Sequence, residues 1–461
     1  MKRILTLLLG IALILPLYSQ ETVEEGITNL SGDEVGLAEE SEEEAEEQPV
    51  EPKKEKRGFA RQHWVLGSDL GVGFDNGIIG TSDIFQKNIV IDMSELANSM
   101  PQDGAGINFD LFLQPIFFEV MNIHIGQGLW NFGFTVNIDG GISLNISKSL
   151  FELIAEGNAE NHDNSGKISA SGGIFTEIGL TGSAEYQVAG RALRAGIKPA
   201  IFTPAVYIPS SSGISYDLSV KKDGKDGLFL SAEGEISVYL PTSFDDKMQP
   251  GRFAFGPTGF DISLEGEYEL FPSLSIGSFN IGALDVGLGL NNIPFAPATL
   301  TTEMKMALKP NPFNIDLYGE DIIQGNDPKI PEFDFDEPTY NYNASKKVHR
   351  LFNFDAYVRY KPFKTELLVL RPNIGFSVNG NEGDKEGFFN AGLEAKLNLK
   401  DIFTFYLGSG YHESTWKQRL GLGLNLRVFE FDLEVALRDH TFAGCFKGHG
   451  FNLMLGTRIG W

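Results

Sequence analysis

The sequence ends in a regular alternation of apolar and polar residues. From Phe451 to Ile459 the odd-numbered positions are apolar apart from Thr457, and the even-numbered positions are Asn, Met, Gly and Arg. Successive side chains of a β-strand point to opposite faces, so this pattern predicts a strand with one apolar and one polar face. The alternation also fills several upstream segments, each about ten residues long, which is typical of strands that face lipid on one side and a lumen on the other. These segments are 389–399, 403–411, 419–428 and 429–437.

Other ways of crossing a membrane are excluded for the bulk of the chain. Beyond Leu17 no segment has the ~20 consecutive apolar residues that a spanning helix requires. A closed barrel is the other structure that satisfies backbone polar groups in lipid. The 53 glycines, 11% aromatic content and mean hydropathy of −0.10 suit strands that are half polar. We therefore predict an all-β fold, an antiparallel transmembrane β-barrel over residues 59–461.

The N-terminal residues have the pattern of a secretory signal peptide over 1–19. Lys2 and Arg3 precede the apolar run from Ile4 to Leu17, and Ser19 is a small residue at the expected cleavage site. Residues 20–58 are strongly acidic and have almost nothing to bury, so they are predicted to form a disordered periplasmic tail. The formal net charge of −25 argues against nucleic acid as a partner.

The last strand also carries a recognisable ending. Gly456, Ile459 and Trp461 resemble the C-terminal signal that directs bacterial outer-membrane barrels to the barrel-assembly machinery. The resemblance implies the outer membrane of a two-membrane bacterium as location, with outer-membrane lipid and that machinery as partners. An ordinary edge strand of a secreted β protein is the alternative interpretation.

The connections between predicted strands alternate in length. Bacterial barrels have short periplasmic turns and longer external loops. Counting back from the last strand, the C-terminus falls on the side of the short turns, so it and the acidic tail are predicted to be periplasmic. The short connections are at 400–401 and 428–429, and the longer ones are at 379–387, 412–417 and 440–448.

The strand count follows from the same pattern. Seven strands are predicted between Phe352 and Trp461, and nine less regular candidates precede them. An even total is expected because both termini are placed in the periplasm. Either two of the nine candidates are not wall strands or the barrel is larger, and we predict about 14 strands, with a range of 12 to 16. The nine candidates are 65–74, 107–114, 132–146, 174–188, 214–220, 227–240, 260–270, 274–290 and 300–308.

Two segments depart from the strand pattern. Residues 147–157 have apolar residues at helical spacing, with a serine able to cap the start and Gly157 able to end the helix. Residues 195–209 are apolar but contain three prolines, which argues against a central strand. Each segment is interpreted either as a loop near the barrel mouth or as a plug inside the lumen. The candidate plug residues are Leu150, Phe151, Leu153, Ile154, Phe202 and Pro204.

The sequence offers no catalytic pattern. The seven histidines are scattered, and the nucleophile elbow, the metalloprotease helix motif and the phosphate-binding glycine loop are all missing. His440 and His449 flank the single Cys445, but without the spacing of metal ligands. We therefore expect no enzymatic activity, no cofactor and no resident metal.

Three functions are compatible with such a barrel. The size, the helical excursion and the proline-broken apolar segment loosely resemble the long-chain fatty-acid transporter (FadL) family, which implies passive transport of small hydrophobic molecules such as fatty acids. The family's Asn-Pro-Ala hatch motif is absent. A general diffusion porin is the second possibility, and a structural or adhesive surface protein acting through the Pro- and Asp-rich stretch 309–349 is the third. A porin constriction would be lined by Arg419, Arg427, Glu430, Asp432, Glu434 and Arg438.

The assembly signal can be tested by changing its terminal residue. Trp461→Ser should lower the amount of folded barrel in the outer membrane, because the aromatic end of the signal is lost. Folded barrels migrate differently in gels before and after boiling, so the ratio of the two bands measures assembly. Trp461→Phe is the control and should assemble normally. Equal folded fractions for both variants, or a soluble periplasmic protein, would contradict the prediction.

Overall fold

The computed structural model describes residues 63–77, 98, 100, 104–156, 164–222, 225–241, 258–276, 279–318, 334–363 and 366–460. These residues belong to one compact unit, Lys56–Trp461. The predicted signal peptide, the acidic tail and Trp461 lie outside the described residues.

The described residues form mostly long strands. The elements in chain order are β1 (Trp64–Asp75), β2 (Ala105–Ile125), β3 (Gly128–Ile146), α1 (Lys148–Glu156), β4 (Asn164–Val188), β5 (Arg191–Ile208), β6 (Gly213–Lys222), β7 (Lys225–Leu240), β8 (Gly259–Ile276), β9 (Phe279–Ala296), β10 (Ala298–Leu300), β11 (Thr302–Lys309), β12 (Phe313–Tyr318), β13 (Asp334–Phe335), β14 (Thr339–Asn341), β15 (Lys346–Val348), β16 (Phe352–Lys361), β17 (Leu368–Asn379), β18 (Glu386–Leu399), β19 (Phe403–His412), β20 (Thr415–Asn425), β21 (Phe429–Asp439), a 3-10 helix (Gly444–Lys447) and β22 (Gly450–Gly460).

Antiparallel pairing closes the wall on itself. Each strand pairs with the next in the order β1, β2, β3, β4, β5, β8, β9 and then β16 to β22. β22 returns to β1, in register from Val65 opposite Gly460 to Asp75 opposite Gly450. The chain is therefore a closed antiparallel β-barrel, as the alternation predicts. The seven strands β16–β22 are those predicted after Phe352.

Two further strands, β6 and β7, extend the wall at one end and bring the described barrel to 16 strands. β6 pairs with the first residues of β4, directly beyond the point where β5 ends. β7 pairs with β6 and, through Tyr239, with Tyr207 of β5. The predicted number of about 14 is therefore too low, and 16 is the upper limit of the predicted range.

The two ends of the barrel differ as the connection lengths predict. At the termini rim, where β1 begins and β22 ends, strands are joined by turns of two to six residues. Lys400 and Asp401 form one of them with φ of 54° and 56°, as in a type I′ hairpin. The other end, the loop rim, carries the longer connections. The expected long loop at 412–417 is wrong, because Glu413 and Ser414 (φ 49° and 62°) join β19 to β20 directly.

A raised sheet stands at the loop rim and is formed by β6, β7, β11 and β12 with the first residues of β4. β11 and β12 pair with β7, and the short strands β13 and β14 pair with β11. An apolar cluster of Tyr216, Ala232, Leu308 and Phe313 packs here, with Leu150 of α1 against it. The candidate strand 300–308 is thus part of the raised sheet instead of the ring. In the stretch 309–349, β12, β13 and β14 belong to this region, whereas β15 pairs with β10 in a separate two-stranded sheet. Residues 319–333 lie outside the described residues.

The outer face of the ring carries a band of exposed apolar side chains. Leu393, Leu407 and Leu420, on three neighbouring strands, are 51%, 59% and 59% exposed. Soluble proteins rarely leave an apolar surface of this extent in water, whereas the outer face of a membrane barrel requires it. The band therefore faces lipid. None of the described helices has the length and hydropathy needed to cross a membrane.

The proline-containing segment 195–209 belongs to wall strand β5 up to Ile208, and Pro209 follows the strand. This corrects the prediction that the prolines exclude a central strand. Pro199 lies where the ladder to β4 is interrupted, between the pairs formed by Ala200 and Ile197. Pro204 lies beside a register shift in the same ladder. Since proline is accepted in sheets at bulges and interruptions, the backbone tolerates both residues there.

A pair of glycines on facing strands should be required for the barrel to close. Gly140 of β3 and Gly172 of β4 have φ of 144° and 133°, and a Cβ on Gly172 would meet the carbonyl of Gly141. Gly172→Val should lower the free energy of unfolding by about 1–2 kcal/mol from backbone strain alone, and by more from the clash. Urea unfolding followed by tryptophan fluorescence measures the change. Gly266→Val, at a glycine with open space beside it, is the control; equal stability of the two variants would contradict the assignment.

Candidate functional site: the barrel lumen

The inner face of the wall is densely charged. Residues whose neighbours in the sequence lie in the apolar outer band point inward, as Asp69 and Asp75 do on β1. Of the residues predicted to line a constriction, Arg419, Glu430, Asp432, Glu434 and Arg438 all make ion pairs with other inward side chains. Arg427 instead lies in the β20–β21 turn at the termini rim with φ 71°, so it does not line the lumen.

A ladder of alternating charges follows the inner face of β16–β21. Arg371 lies 3.7 Å from Glu394 and 3.8 Å from Asp355, and Arg419 lies 3.1 Å from Glu394 and 3.9 Å from Glu434. The side chains of Arg419 and Glu394 are 37% and 43% exposed. Because these groups point into the barrel and are still solvated, water reaches the lumen on this side. Exposed pairs of this kind contribute little to stability. Their charged groups are in contact with the water of the lumen.

Two arginine clusters lie at different heights on the neighbouring strands β21, β22 and β1. Nearer the loop rim, Arg438 pairs with Asp75 at 3.2 Å and with Asp110. Nearer the termini rim, Arg458 lies 3.0 Å from Asp432 and 3.5 Å from Asp69. In the cluster nearer the loop rim, Lys417 opposes Arg438 in the ladder between β20 and β21, so two cations balance the two carboxylates. Arg458 is surrounded by three carboxylates, those of Asp69, Asp432 and Glu430, so the cluster nearer the termini rim is acidic.

Between the two arginine clusters lie four inner-face residues without charge, and we call this set the apolar stretch. It consists of Phe112, Met454, Ala436 and Gly71, all on the inner face. The charged Glu434 lies beside it, opposite Met454 in the ladder between β21 and β22. Gly71 opposes Met454 in the ladder between β1 and β22, and a Cβ on Gly71 would touch Phe112. Met454 is 36% exposed although it points inward. An apolar side chain is therefore presented to the lumen between two charged levels.

The opposite side of the lumen is closed by Arg350. The residue precedes β16, and its guanidinium donates to both oxygens of Asp261 at 2.8 and 2.7 Å and to Glu177. All three side chains are almost fully buried. Lys198 Nζ lies 2.8 Å from Glu177, and Asn137 donates to it at 3.1 Å. Arg350, just before β16, is thereby connected to wall strands β3, β4, β5 and β8.

The charge of Arg350 is retained in this buried position. Burial alone would lower the pKa of its guanidinium, but the hydrogen bonds to Asp261 and the negative charge of Glu177 raise that pKa above its ordinary value. The ring of Phe202 lies 5.3 Å from the guanidinium carbon and covers it. A buried ion pair is stable only where each charged group has its hydrogen-bonding partners. This cluster therefore requires Arg350 to remain between Asp261 and Glu177.

A short loop, which we call the latch (residues 380–385), crosses the inside of the wall above Arg350. Its Asp384 accepts hydrogen bonds from the hydroxyl of Tyr207, from the amide of Ser210 at 2.6 Å and from the Ser210 hydroxyl. Its Asn381 accepts from the amide of His349 at 2.6 Å and donates to the His349 carbonyl at 3.0 Å. Three strands separate β17 from β5 in the ring, so the latch spans a wide part of the loop rim.

The predicted plug residues are divided between two places. Phe202 and Pro204 lie in wall strand β5 and are almost fully buried, and Phe202 contacts Arg350. α1 occupies the segment predicted to be helical, and Leu150 packs against the apolar cluster of the raised sheet. Phe151 is buried, and the side chains of Leu153 and Ile154 lie outside the described residues. A plugging role for these residues stays a prediction.

Arg350, Asp384 and the apolar stretch are not singled out by the sequence. Arg350 and Glu177 are 173 positions apart, and Asp384 and Tyr207 are 177 apart, so no local pattern connects them. The one indication in the sequence is that residues 379–387 are polar and lie between two segments in which apolar and polar residues alternate strongly. Within the described ranges, no group of three or more His, Cys, Asp or Glu residues is arranged to hold a metal ion.

Comparison with known proteins gives only distant similarity. No protein-family model matches the sequence, and no curated protein is significantly similar to it. Among solved structures, a TodX deltaS2S3 mutant monoaromatic hydrocarbon channel is 9% identical, with a TM-score of 0.41 over 86% of this chain and 90% of that one. The Ralstonia pickettii toluene transporter TbuX is 9% identical, with 0.40 over 87% and 90%. A Pseudomonas aeruginosa FadL homologue is 10% identical, with 0.34 over 86% and 89%.

Releasing the latch should widen the lumen. Asp384→Ala removes the acceptor of three hydrogen bonds, each worth about 1.5–3 kcal/mol because the acceptor is charged. The latch should then leave the inner wall, and the single-channel conductance in planar bilayers should rise. Glu386→Ala, an exposed carboxylate two residues away, is the control and should conduct like the unaltered protein. A conductance unchanged by Asp384→Ala would show that the latch does not narrow the passage.

Proposed function

We propose that this protein is a passive channel of the outer membrane that carries small hydrophobic molecules, such as fatty acids, through its lumen. The observation that carries the proposal is the apolar stretch, where Met454 and Phe112 face the lumen between two arginine clusters. A lumen used only by water and polar solutes gains nothing from an exposed methionine. A hydrophobic solute gains contact area there, and the flexible thioether adapts to different shapes.

The orientation belongs to the same proposal. Short turns at the termini rim and long connections at the loop rim are the arrangement of bacterial barrels with a periplasmic C-terminus. The raised sheet, α1 and the latch would then face the outside, where the cargo arrives.

Binding of a fatty acid to variants of the apolar stretch tests this function. Oleate carrying a fluorescent reporter is titrated into the purified protein in detergent-free nanodiscs. Met454→Asp should weaken binding about tenfold or more, because burying a side chain of this size against a ligand contributes about 1.5–3 kcal/mol. Met454→Leu keeps an apolar side chain there and should bind normally.

A second variant separates charge from the loss of apolar contact. Asn452→Asp introduces the same charge on the same strand and the same inner face, two residues nearer the loop rim. It should leave oleate affinity within about twofold, because it removes no apolar contact. If the protein as it stands binds no oleate, or if both Asp variants weaken binding equally, the hydrophobic channel is the wrong function.

The charge ladder favours a general diffusion porin as the second candidate. Arg371, Glu394, Arg419 and Glu434 are solvated and point inward, as in a pore for polar solutes. Such a pore shows a large steady ion conductance, and replacing Arg419 by Glu should shift its ion selectivity toward cations. A large conductance together with no oleate binding would decide for the porin.

A further inference from the structure

The inner wall near the loop rim contains a recess that plays no part in the channel function proposed above. Gly392 of β18 lies opposite Gly410 of β19, so two neighbouring strands present no side chain to the lumen at this level. A Cβ on Gly410 would approach only backbone atoms, the Ala391 carbonyl oxygen at 3.3 Å and the Gly392 Cα at 3.6 Å. We call the space above these glycines the glycine recess, and its volume is about 40 Å³. The polar side chains that line it are Asn373, Asn390, Glu394, His412, Lys417 and Arg419.

Lys417 borders the glycine recess without an anionic partner in contact. It opposes Gly410 on β19 and Arg438 on β21, so a group of like charge lies on its other side. The carboxylates of Asp75 and Asp110 both contact Arg438 instead. Within the described ranges Lys417 forms no ion pair and no hydrogen bond. Repulsion by Arg438 favours positions of the ammonium group over the recess, where an anion would supply the missing partner.

The carboxylate that lines the glycine recess is already neutralised by arginines. Glu394 lies 3.1 Å from Arg419 and 3.7 Å from Arg371. The amide of Asn390 is also engaged, since it donates to the Ser377 hydroxyl at 2.7 Å. The side chains around the recess therefore satisfy one another in pairs, and the positive charge of Lys417 is left facing the recess.

A second unsatisfied group lies on the loop-rim side of the recess. The Nδ1 atom of His412 is buried and has no hydrogen-bond partner among the described residues. A carboxylate oxygen of Glu413 lies 3.6 Å from it, which is too far for a hydrogen bond. Buried ring nitrogens are ordinarily hydrogen-bonded. In the tautomer that carries its proton on Nδ1, His412 can donate to a ligand that also pairs with Lys417.

The size and charge of the glycine recess favour one kind of anion. A volume of about 40 Å³ holds about three water-sized groups, which is the size of a carboxylate. A carboxylate is flat, so it fits over the peptide planes that the two glycines leave uncovered, and its single charge matches the single unpaired cation. Phosphate is larger and carries up to two charges near neutral pH, so Glu394 would repel it more strongly.

We propose that the glycine recess binds a carboxylate group, with Lys417 as its ion-pair partner and His412 as a hydrogen-bond donor. The carboxylate belongs either to a small free acid in the lumen or to the head of a hydrophobic acid. In the second case the chain would extend toward Met454, which lies two strands away and about 13 Å nearer the termini rim. The site does not require the hydrophobic channel to be the function, because Lys417 and the apolar stretch are separate parts of the wall.

Acetate labelled at its carboxyl carbon tests the site by NMR, because acetate is a carboxylate that stays in water. The line width of the labelled carbon is measured with the full chain in nanodiscs and with empty nanodiscs as the blank. Broadening should saturate as the acetate concentration rises. Lys417→Met should weaken acetate binding about tenfold or more, because a charge-assisted hydrogen bond is lost. Lys417→Arg keeps the charge and should bind acetate.

Matched variants separate the recess from the general charge of the lumen. Lys396→Met removes a lysine that lies over the Tyr406 ring at 5.2 Å and does not line the recess, so acetate binding should be unchanged. Gly410→Val fills the recess with Lys417 in place and should weaken binding. Gly289→Val, at an inner-face glycine with no atom closer than 3.9 Å to its Cβ position, should not. Every variant is required to show the shifted gel band of a folded barrel before boiling.

Competition identifies the source of the carboxylate. Decanoate that displaces acetate at a much lower concentration than propionate does, with the advantage lost in Met454→Asp, assigns the recess to the head of a hydrophobic acid. Equal displacement by the two assigns it to a small free acid. The carboxylate site is overturned by non-saturable broadening, by equal losses in Lys417→Met and Lys396→Met, or by inorganic phosphate displacing acetate better than propionate does. Because acetate has no apolar chain, these results are independent of whether oleate binds.

Discussion

Closure of β22 on β1 is the constraint on which the other features of this protein depend. A strand edge within lipid has no water to satisfy its amide and carbonyl groups, so the membrane accepts a sheet only when its two edges meet. Once the ring is closed, each strand has one face toward lipid and one toward the lumen. The outer face must be apolar at every height of the bilayer, as Leu393, Leu407 and Leu420 illustrate. The inner face has no such requirement, so its residues can be chosen for function.

The inner charges explain much of the glycine content. A Cβ on Gly67 would lie 3.0 Å from the Arg458 side chain, one on Gly73 would lie 2.7 Å from Arg438, and one on Gly456 would lie 2.6 Å from Asp69. Long charged side chains lie across the neighbouring strands, and the glycines provide the space beneath them. Gly456, which belongs to the predicted assembly signal, therefore also has a local packing reason for lacking a side chain. The pairs in turn neutralise most of the charge that the narrow interior would otherwise hold.

Period-two alternation was sufficient to predict the closed antiparallel barrel, the seven strands after Phe352 and the difference between its two rims, because all three follow from which face each residue occupies. It failed at β5, where Pro199 and Pro204 are tolerated only because the ladder to β4 is already interrupted there. The strand count of about 14 was too low for another reason, because two of the nine irregular candidates before Phe352 were not counted as wall strands. Arg350 and Asp384 were beyond prediction for a different reason. Their partners lie more than 170 positions away, and only the ring order brings them together.

The lumen is consequently asymmetric. On the side of β3–β8, Arg350 is buried with Glu177 and Asp261 and the latch covers them, so these charges face each other and not the passage. On the side of β16–β1 the ladder is solvated and the apolar stretch is exposed, so these groups, and not the buried Arg350 cluster, are in contact with the lumen. From the loop rim to the termini rim, this wall presents Arg438 with its carboxylates, then Met454 and Phe112, then the acidic cluster around Arg458. The negative charge around Arg458 disfavours an anionic group at that level, whereas Met454 and Phe112 favour an apolar body. In the proposed channel, the order of these groups along the wall, more than the number of strands, sets which molecules can pass.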